Sequence, residues 1–110
     1  MEPRAKVWLE QDGKLVLSDY RVQLLRLIEE SGSLSDAAQA LGLSYRRAWG
    51  KVKEIEHNLG VKLLESAAGG PGGGGSRLTP EARRLVEQYD RFRKAAGADL
   101  EQDFRKSFNG

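Results

Sequence analysis

The segment between Ser33 and Ser44 limits the fold most narrowly, because it fits two helices joined by a very short turn. Ser33 and Asp36 have the spacing of a capping box, which predicts the start of a short helix. Gly42 is placed to adopt the left-handed backbone that ends this helix, and Ser44 is placed to cap the next one. Two short helices across a tight glycine-containing turn form the core of a helix-turn-helix.

An N-terminal β-hairpin is predicted ahead of this segment. Asp12 and Gly13 tolerate the positive φ values of a tight turn, and strand-like runs at 6–10 and 14–17 flank them. The hairpin leads directly into the first helix.

Three longer helices are indicated by apolar residues at helical spacing between capping and stop residues. They run from Ser18 or Asp19 to about Glu30, from Ser44 to about Asn58, and from Thr79 to about Ala96. Short strands are predicted at 61–65 and 77–79, on either side of a glycine-rich loop. The predicted fold class is mainly α with small β elements: a winged helix-turn-helix with an N-terminal β-hairpin and a C-terminal dimerisation helix.

Composition excludes several classes of protein. The chain has 110 residues, no cysteine and one histidine, so neither a disulfide framework nor a thiolate metal site is available. No run is apolar enough to span a membrane, and the charged N-terminus does not resemble a signal peptide, so a cytoplasmic protein is expected. One winged domain is predicted at 1–96, followed by a charged tail at 97–110.

The predicted third helix carries the signal for DNA binding. Residues 44–53 include Arg46, Arg47, Lys51 and Lys53 with no acid among them, although the net charge of the chain is only +2. DNA binding depends on local positive potential, so this cluster matters more than the total charge. In a helix-turn-helix the N-terminal end of the second helix lies nearest the base edges in the major groove.

The outward face of this helix combines Arg46, Arg47 and Gly50. Glycine inside a helix destabilises it by about 1 kcal/mol relative to alanine, so Gly50 suggests close approach of the backbone to DNA. Glu54 lies on the same face, either beyond the groove or accepting a hydrogen bond from cytosine N4. Trp49 is interpreted as a residue that packs on the core.

The glycine-rich loop at 67–77 formally satisfies a dinucleotide-binding pattern at Gly70–Gly75. That reading fails because no helix opens directly after the glycines and no βαβ unit surrounds them. A triphosphate-binding loop would need Gly-Lys-Ser/Thr, and Arg77 stands after Gly75-Ser76. The loop is better explained as the tip of a wing whose bare amides meet phosphates. The chain is therefore not expected to be an enzyme and needs no cofactor.

The predicted DNA contacts come from the helix starts, the third helix and the wing. They are Ser33, Ser35, Ser44, Tyr45, Arg46, Arg47, Gly50, Lys51, Lys53, Gly72, Gly73 and Arg77.

Three segments together resemble the N-terminal domain of the molybdate-dependent transcriptional regulator (ModE) family, which is itself related to the LysR-type winged helix. They are 31–38, the segment 42–49 with Ser-Tyr-x-x-Ala-Trp at 44–49, and the wing at 69–80. The resemblance covers about residues 5–95. It implies a cytoplasmic homodimer on a palindromic operator in double-stranded DNA, with the recognition helix in the major groove.

Two departures limit what the resemblance implies. Family members carry a C-terminal molybdate-binding region for which no room is expected before Gly110, and Pro71 stands where a basic wing residue is expected. Molybdate sensing is therefore not inherited from the resemblance. Two other functions stay open: a protein-interaction module that uses Tyr45 and Trp49, and a small oxyanion-binding protein that holds molybdate with the glycine-loop amides.

Overall fold

Four helices and two antiparallel β-hairpins form the part of the chain that the computed structural model describes, which is residues 1–67 and 75–109. The elements are β1 (Trp8–Gln11), β2 (Lys14–Ser18), α1 (Asp19–Ser31), α2 (Leu34–Ala40), α3 (Tyr45–Leu59), β3 (Leu64–Ala67), β4 (Gly75–Leu78) and α4 (Pro80–Phe108). The predicted fold class, a winged helix-turn-helix, is confirmed.

Each helix begins at a side chain that caps it. The capping oxygen accepts a hydrogen bond from the backbone N–H three residues later in every case, which satisfies a donor that the helix leaves unpaired. The caps are Ser18, Ser33, Ser44 and Thr79. The predicted helix starts are therefore correct, and Pro80 occupies the first turn of α4, as its fixed φ favours.

The core lies where α1, α2 and α3 meet. Leu24, Leu25 and Ile28 of α1 are fully buried, and the inner face of α3 contributes Ala48 and Ile55, which are also fully buried. Small side chains at Ala37 and Ala38 of α2 let α2 and α3 cross closely. The turn between them uses Gly42 at φ +68°, and the Leu43 N–H donates to the carbonyl of Ala38 over 2.9 Å.

The two hairpins differ from their predicted limits by a few residues. The turn at Asp12 and Gly13 has positive φ at both positions, as predicted. β3 starts at Leu64 rather than 61, because the Leu63 N–H donates to the carboxylate of Glu56 over 2.7 Å instead of to a strand. β4 ends before Thr79, whose side chain caps α4.

The fourth helix continues well beyond the predicted end at Ala96 and stops at Phe108. Gly97 lies inside this helix. Its neighbours Ala95, Ala96 and Ala98 favour helix, and Glu101 pairs with Arg105 one turn later. One helix therefore crosses the boundary predicted between 96 and 97, while the division into domain and tail stays a prediction.

Two carboxylates of α1 attach the wing and α4 to the core. Asp19 accepts hydrogen bonds from the Tyr89 hydroxyl and from Arg93 of α4. Glu29 accepts from the Leu78 N–H of β4 over 2.9 Å and from Arg83 of α4 over 2.8 Å. The hydrogen bond from Tyr89 lowers the pKa of Asp19, aided by Arg93, against the opposing effect of burial. The hydrogen bond from the Leu78 backbone similarly lowers the pKa of Glu29, with help from Arg83.

These lowered pKa values predict a loss of stability in acid. A carboxyl group whose pKa is lower in the folded state stabilises the fold above its ordinary pKa, and this contribution disappears as the pH falls through the lowered pKa. We expect Glu29→Gln to reduce the free energy of unfolding by about 1 kcal/mol at about pH 7. The difference should vanish at about pH 2, where Glu29 is protonated in both states.

Urea unfolding across this pH range measures the effect. Glu30→Gln, which removes the same charge from the next, exposed residue of α1, is the control and should change stability little. An E29Q difference that stays constant down to the lowest pH would contradict the role of the Glu29 carboxylate.

Candidate nucleic-acid interface

The first turn of α3 projects away from the core. The Ser44 side chain accepts a hydrogen bond from the Arg47 N–H over 3.2 Å, which fixes the start of the helix directly after the Gly42 turn. Tyr45, Arg46 and Arg47 follow and are all exposed. The structure therefore places three of the predicted contact residues together at the exposed N-terminal end of α3.

Gly50 lies one turn further along the outward face. A Cβ built at Gly50 would meet nothing within 4 Å among the described residues. Packing within the described part of the chain therefore does not explain the missing side chain, whereas an approaching molecule would.

A second stripe of α3 faces the wing. Tyr45, Trp49 and Lys53 recur at intervals of four residues and line one wall of a cleft of about 210 Å³ between α3 and the β3–β4 hairpin. Trp49 was interpreted as a core-packing residue, and that was wrong, because 47% of it is exposed. The Lys53 ammonium lies 5.2 Å from the centre of the Trp49 ring, within range of a cation–π interaction.

The opposite wall of this cleft comes from the wing and the segment before it. Lys62 is exposed there, and Ser66 of β3 pairs with Ser76 of β4. The cleft thus brings hydroxyl, indole and ammonium donors together, and sequence reasoning did not identify Lys62, Ser66 or Ser76. Lys62 follows α3 by only three residues, but Ser66 and Ser76 are brought to the cleft by the pairing of β3 with β4.

Acidic side chains near the cleft are engaged in hydrogen bonds. Glu56 pairs with Lys53 over 3.0 Å and accepts from the Leu63 N–H. Burial raises the pKa of Glu56, but the hydrogen bonds from Leu63 and Lys53 outweigh it and the pKa is lowered overall. Glu65 accepts from Arg77 directly across the hairpin over 3.0 Å.

Three of the remaining predicted contacts, Ser33, Ser35 and Arg77, lie among the described residues. Ser33 caps α2, Ser35 is exposed in its first turn, and Arg77 is exposed on β4 next to Glu65. Gly72 and Gly73, which are also the loop amides of the oxyanion alternative, lie outside the described residues. The full set of DNA contacts stays a prediction.

Sequence reasoning missed the contacts between α1 and the outward face of α3. Arg21, only 7% exposed, donates through Nη2 to Oε1 of Glu54 over 3.0 Å. The Lys51 ammonium lies 5.4 Å from the centre of the Tyr20 ring. Glu54 therefore neither points freely outward nor stands alone, which neither sequence alternative anticipated. No local spacing signal connects residues this far apart in the chain.

Other kinds of site find no support in the part of the chain that the structure describes. It contains no group of three or more metal-ligating side chains. Within 1–67 and 75–109, none of the helices combines the length and the apolar character needed to cross a membrane.

Solved structures with this fold include DNA complexes. The DNA-binding domain of CbnR bound to DNA superposes with a TM-score of 0.62 at 22% sequence identity, covering 83% of this chain and 99% of that one. The BenM DNA-binding domain on benA site 1 DNA gives a TM-score of 0.59 at 17% identity, covering 86% of this chain and 100% of that one. At these identities the likeness shows a shared fold.

Sequence relatives are more similar but much longer. The chain is 39% identical to the molybdenum-pterin-binding protein MopB of Rhodobacter capsulatus over 94% of its own length and 37% of that protein. It is 38% identical to the DNA-binding transcriptional dual regulator ModE of Escherichia coli (strain K12), over 82% of its length and 34% of the relative. The chain thus spans about a third of the length of these relatives, and the resemblance to the ModE family is confirmed.

One sequence family matches the segment that contains most of these elements. The profile of the bacterial regulatory helix-turn-helix proteins, lysR family, matches residues 20–83, which is more than half of the chain and runs from α1 into α4. This is a family of regulators and not of enzymes. The chain belongs to the lysR family of bacterial regulatory helix-turn-helix proteins.

Proposed function

We propose that this protein is a sequence-specific DNA-binding transcriptional regulator that acts in the cytoplasm as a homodimer on a palindromic operator. The observation that carries the proposal is the first turn of α3, where exposed Arg46 and Arg47 precede a glycine with open space around it. The proteins similar to this chain include one named as a transcriptional regulator and two DNA-bound domains of the same fold.

Arg46 and Arg47 are suited to reading bases. A guanidinium can donate two parallel hydrogen bonds to O6 and N7 of guanine in the major groove. Gly50, on the same face, lets the helix backbone approach the base edges without a side chain between them. These three residues form the proposed base-reading surface.

The cleft between α3 and the wing is suited to the sugar-phosphate backbone. In this proposal one strand of the duplex runs along the opening of the cleft between α3 and the wing. There the Tyr45 hydroxyl, the Trp49 indole N–H and the ammonium group of Lys62 can donate to phosphate oxygens. Such contacts fix the position of the protein on the duplex but carry no sequence information.

The distal half of α4 is suited to pairing with a second copy. Apolar side chains recur from Phe92, just before the middle of the helix, to its end. Phe92 is 45% and Phe108 62% exposed, and the rings of Phe104 and Phe108 lie 5.0 Å apart. Basic residues at 91, 93 and 94 and acidic residues at 99, 101 and 103 lie on opposite sides of the small residues 95–98. Two antiparallel copies centred on Gly97 would bring opposite charges together, whereas parallel copies would bring like charges together.

A homodimer also follows from the amount of sequence that one helix can read. A single recognition helix contacts too few base pairs for useful specificity, and a two-fold axis doubles the site. The operator expected for such a dimer is palindromic.

We expect Arg46→Ala/Arg47→Ala to abolish operator preference, because each lost bidentate base contact weakens specific binding by about 1–3 kcal/mol. Titration of a duplex selected from a random pool, compared with an unrelated duplex, measures the preference. Lys14→Ala/Arg84→Ala removes the same charge from exposed residues outside α3 and should retain it. Unchanged preference in R46A/R47A would rule out the proposed base-reading surface.

Lys62→Ala tests the cleft. Because a phosphate contact releases counterions, we expect this change to weaken specific and unspecific DNA equally and to reduce the log–log salt slope by about 1. Binding isotherms at a series of salt concentrations give the slope. Lys14→Ala, at the exposed start of β2, is the matched control and should leave the slope unchanged. A K62A slope equal to that of the parent would exclude Lys62 as a phosphate contact.

Leu100→Asp/Phe104→Asp tests the pairing of α4. We expect a folded monomer whose operator affinity is lower by about 100-fold, because the second recognition helix no longer binds intramolecularly. Sedimentation velocity gives the mass and circular dichroism the helix content. Gln102→Ala, on the exposed side of the same helix turn, should remain dimeric. If L100D/F104D kept the mass of the parent, the dimer surface would lie elsewhere.

A further inference from the structure

The carboxylate of Glu54 is out of place on a surface that meets DNA. It lies on the same face of α3 as Arg46, Arg47 and Gly50, and its side chain is 54% exposed. If the function proposed above is correct, a free carboxylate there would repel the phosphates. We propose that Arg21 is a positioning residue for DNA binding, which holds the Glu54 carboxylate against α1 and neutralises it.

Arg21 acts from beneath the DNA-facing surface. It belongs to the first turn of α1, its side chain is 8% exposed, and its Nη2 lies 3.0 Å from Oε1 of Glu54. A guanidinium buried to this degree cannot itself serve as an exposed phosphate contact. Arg21 can therefore influence DNA binding only by neutralising the charge of Glu54.

Stability alone does not explain a buried arginine at this position. Nη1 of Arg21 is buried and has no hydrogen-bond partner among the described residues, which costs folding free energy. Apolar side chains of similar volume often stabilise a fold as well as a buried ion pair does. A residue that breaks a packing rule in this way is expected where function requires it.

The same turn of α1 determines what charge remains on this part of α3. The ring of Tyr20 lies under the Lys51 ammonium, one helical turn from Glu54. With Glu54 neutralised by Arg21, Lys51 is left as the net charge of this turn. Of the acid and the base that α3 carries here, Glu54 and Lys51, only Lys51 then contributes a net charge. The first turn of α1 therefore leaves a cationic site for the duplex.

Four variants test the proposal: Arg21→Met, Glu54→Gln, the double variant, and Arg21→Lys. The probe is a labelled duplex of about 30 base pairs, roughly three helical turns, selected from a random pool. We expect R21M to bind about tenfold more weakly, with a shallower salt slope, because the freed carboxylate repels phosphate. E54Q should bind at least as tightly as the parent, and R21M/E54Q should bind within about twofold of E54Q.

This asymmetry separates charge neutralisation from a merely structural role. If the ion pair acted only by holding α3 in place, E54Q and R21M would weaken binding alike and the double variant would not recover. Either result, or R21M binding as tightly as the parent, would overturn the proposal. R21K keeps the charge and should retain binding, and Glu87→Gln, which removes an exposed acid of α4, should leave affinity unchanged.

Folding and function are distinguished in the same series. Thermal unfolding shows whether R21M is folded. If it is not, the comparison of E54Q with the parent decides, because a loss of affinity in E54Q contradicts neutralisation. If the parent shows no preference for the selected duplex over an unrelated one, the proposed function is wrong. If the parent shows this preference but R21M binds as tightly as the parent, only the proposed role of Arg21 is wrong.

Discussion

The burial of α1 is the constraint on which the other elements depend. Leu24, Leu25 and Ile28 are completely excluded from solvent, so this helix has one orientation in the core. Its polar side chains then reach the surface at fixed points. Asp19 holds α4, Arg21 holds α3, and Glu29 holds both the wing and α4. The apolar face of one helix thereby determines where α3, the wing and α4 stand relative to each other.

Several acids near α3 and the wing are paired with basic side chains. The net charge is only +2, but Glu54, Glu56 and Glu65 each accept a hydrogen bond from a basic side chain beside α3 or in the wing. Glu56 also accepts from a backbone N–H. Meanwhile Arg46 and Arg47 extend from the helix start. The start of α3 therefore exposes basic side chains, while these three acids are paired.

The sequence predicted the features that depend on neighbouring residues. Helix starts followed from capping residues such as Ser44 and Thr79, and the turn followed from Gly42, because these effects act over a few residues. The errors arose where distant segments meet. Trp49 was placed in the core because helical spacing cannot show that a wing stands beside it, and Glu54 was left open because its partner is in α1. Which predicted residues touch DNA is likewise a property of the complex, which residue patterns alone do not determine.

The length of α4 limits which insertions the helix can accept. At 29 residues and 1.5 Å per residue, α4 is a rod of about 43 Å that begins at the wing and ends in the apolar segment at Phe108. A flexible linker would tolerate any insertion, but one residue added to a helix turns everything beyond it by about 100°. An insertion would therefore also rotate the apolar side chains near Phe108 relative to the wing. Insertions of about seven residues, roughly two helical turns, or about eleven, roughly three turns, would return these side chains to nearly the same side.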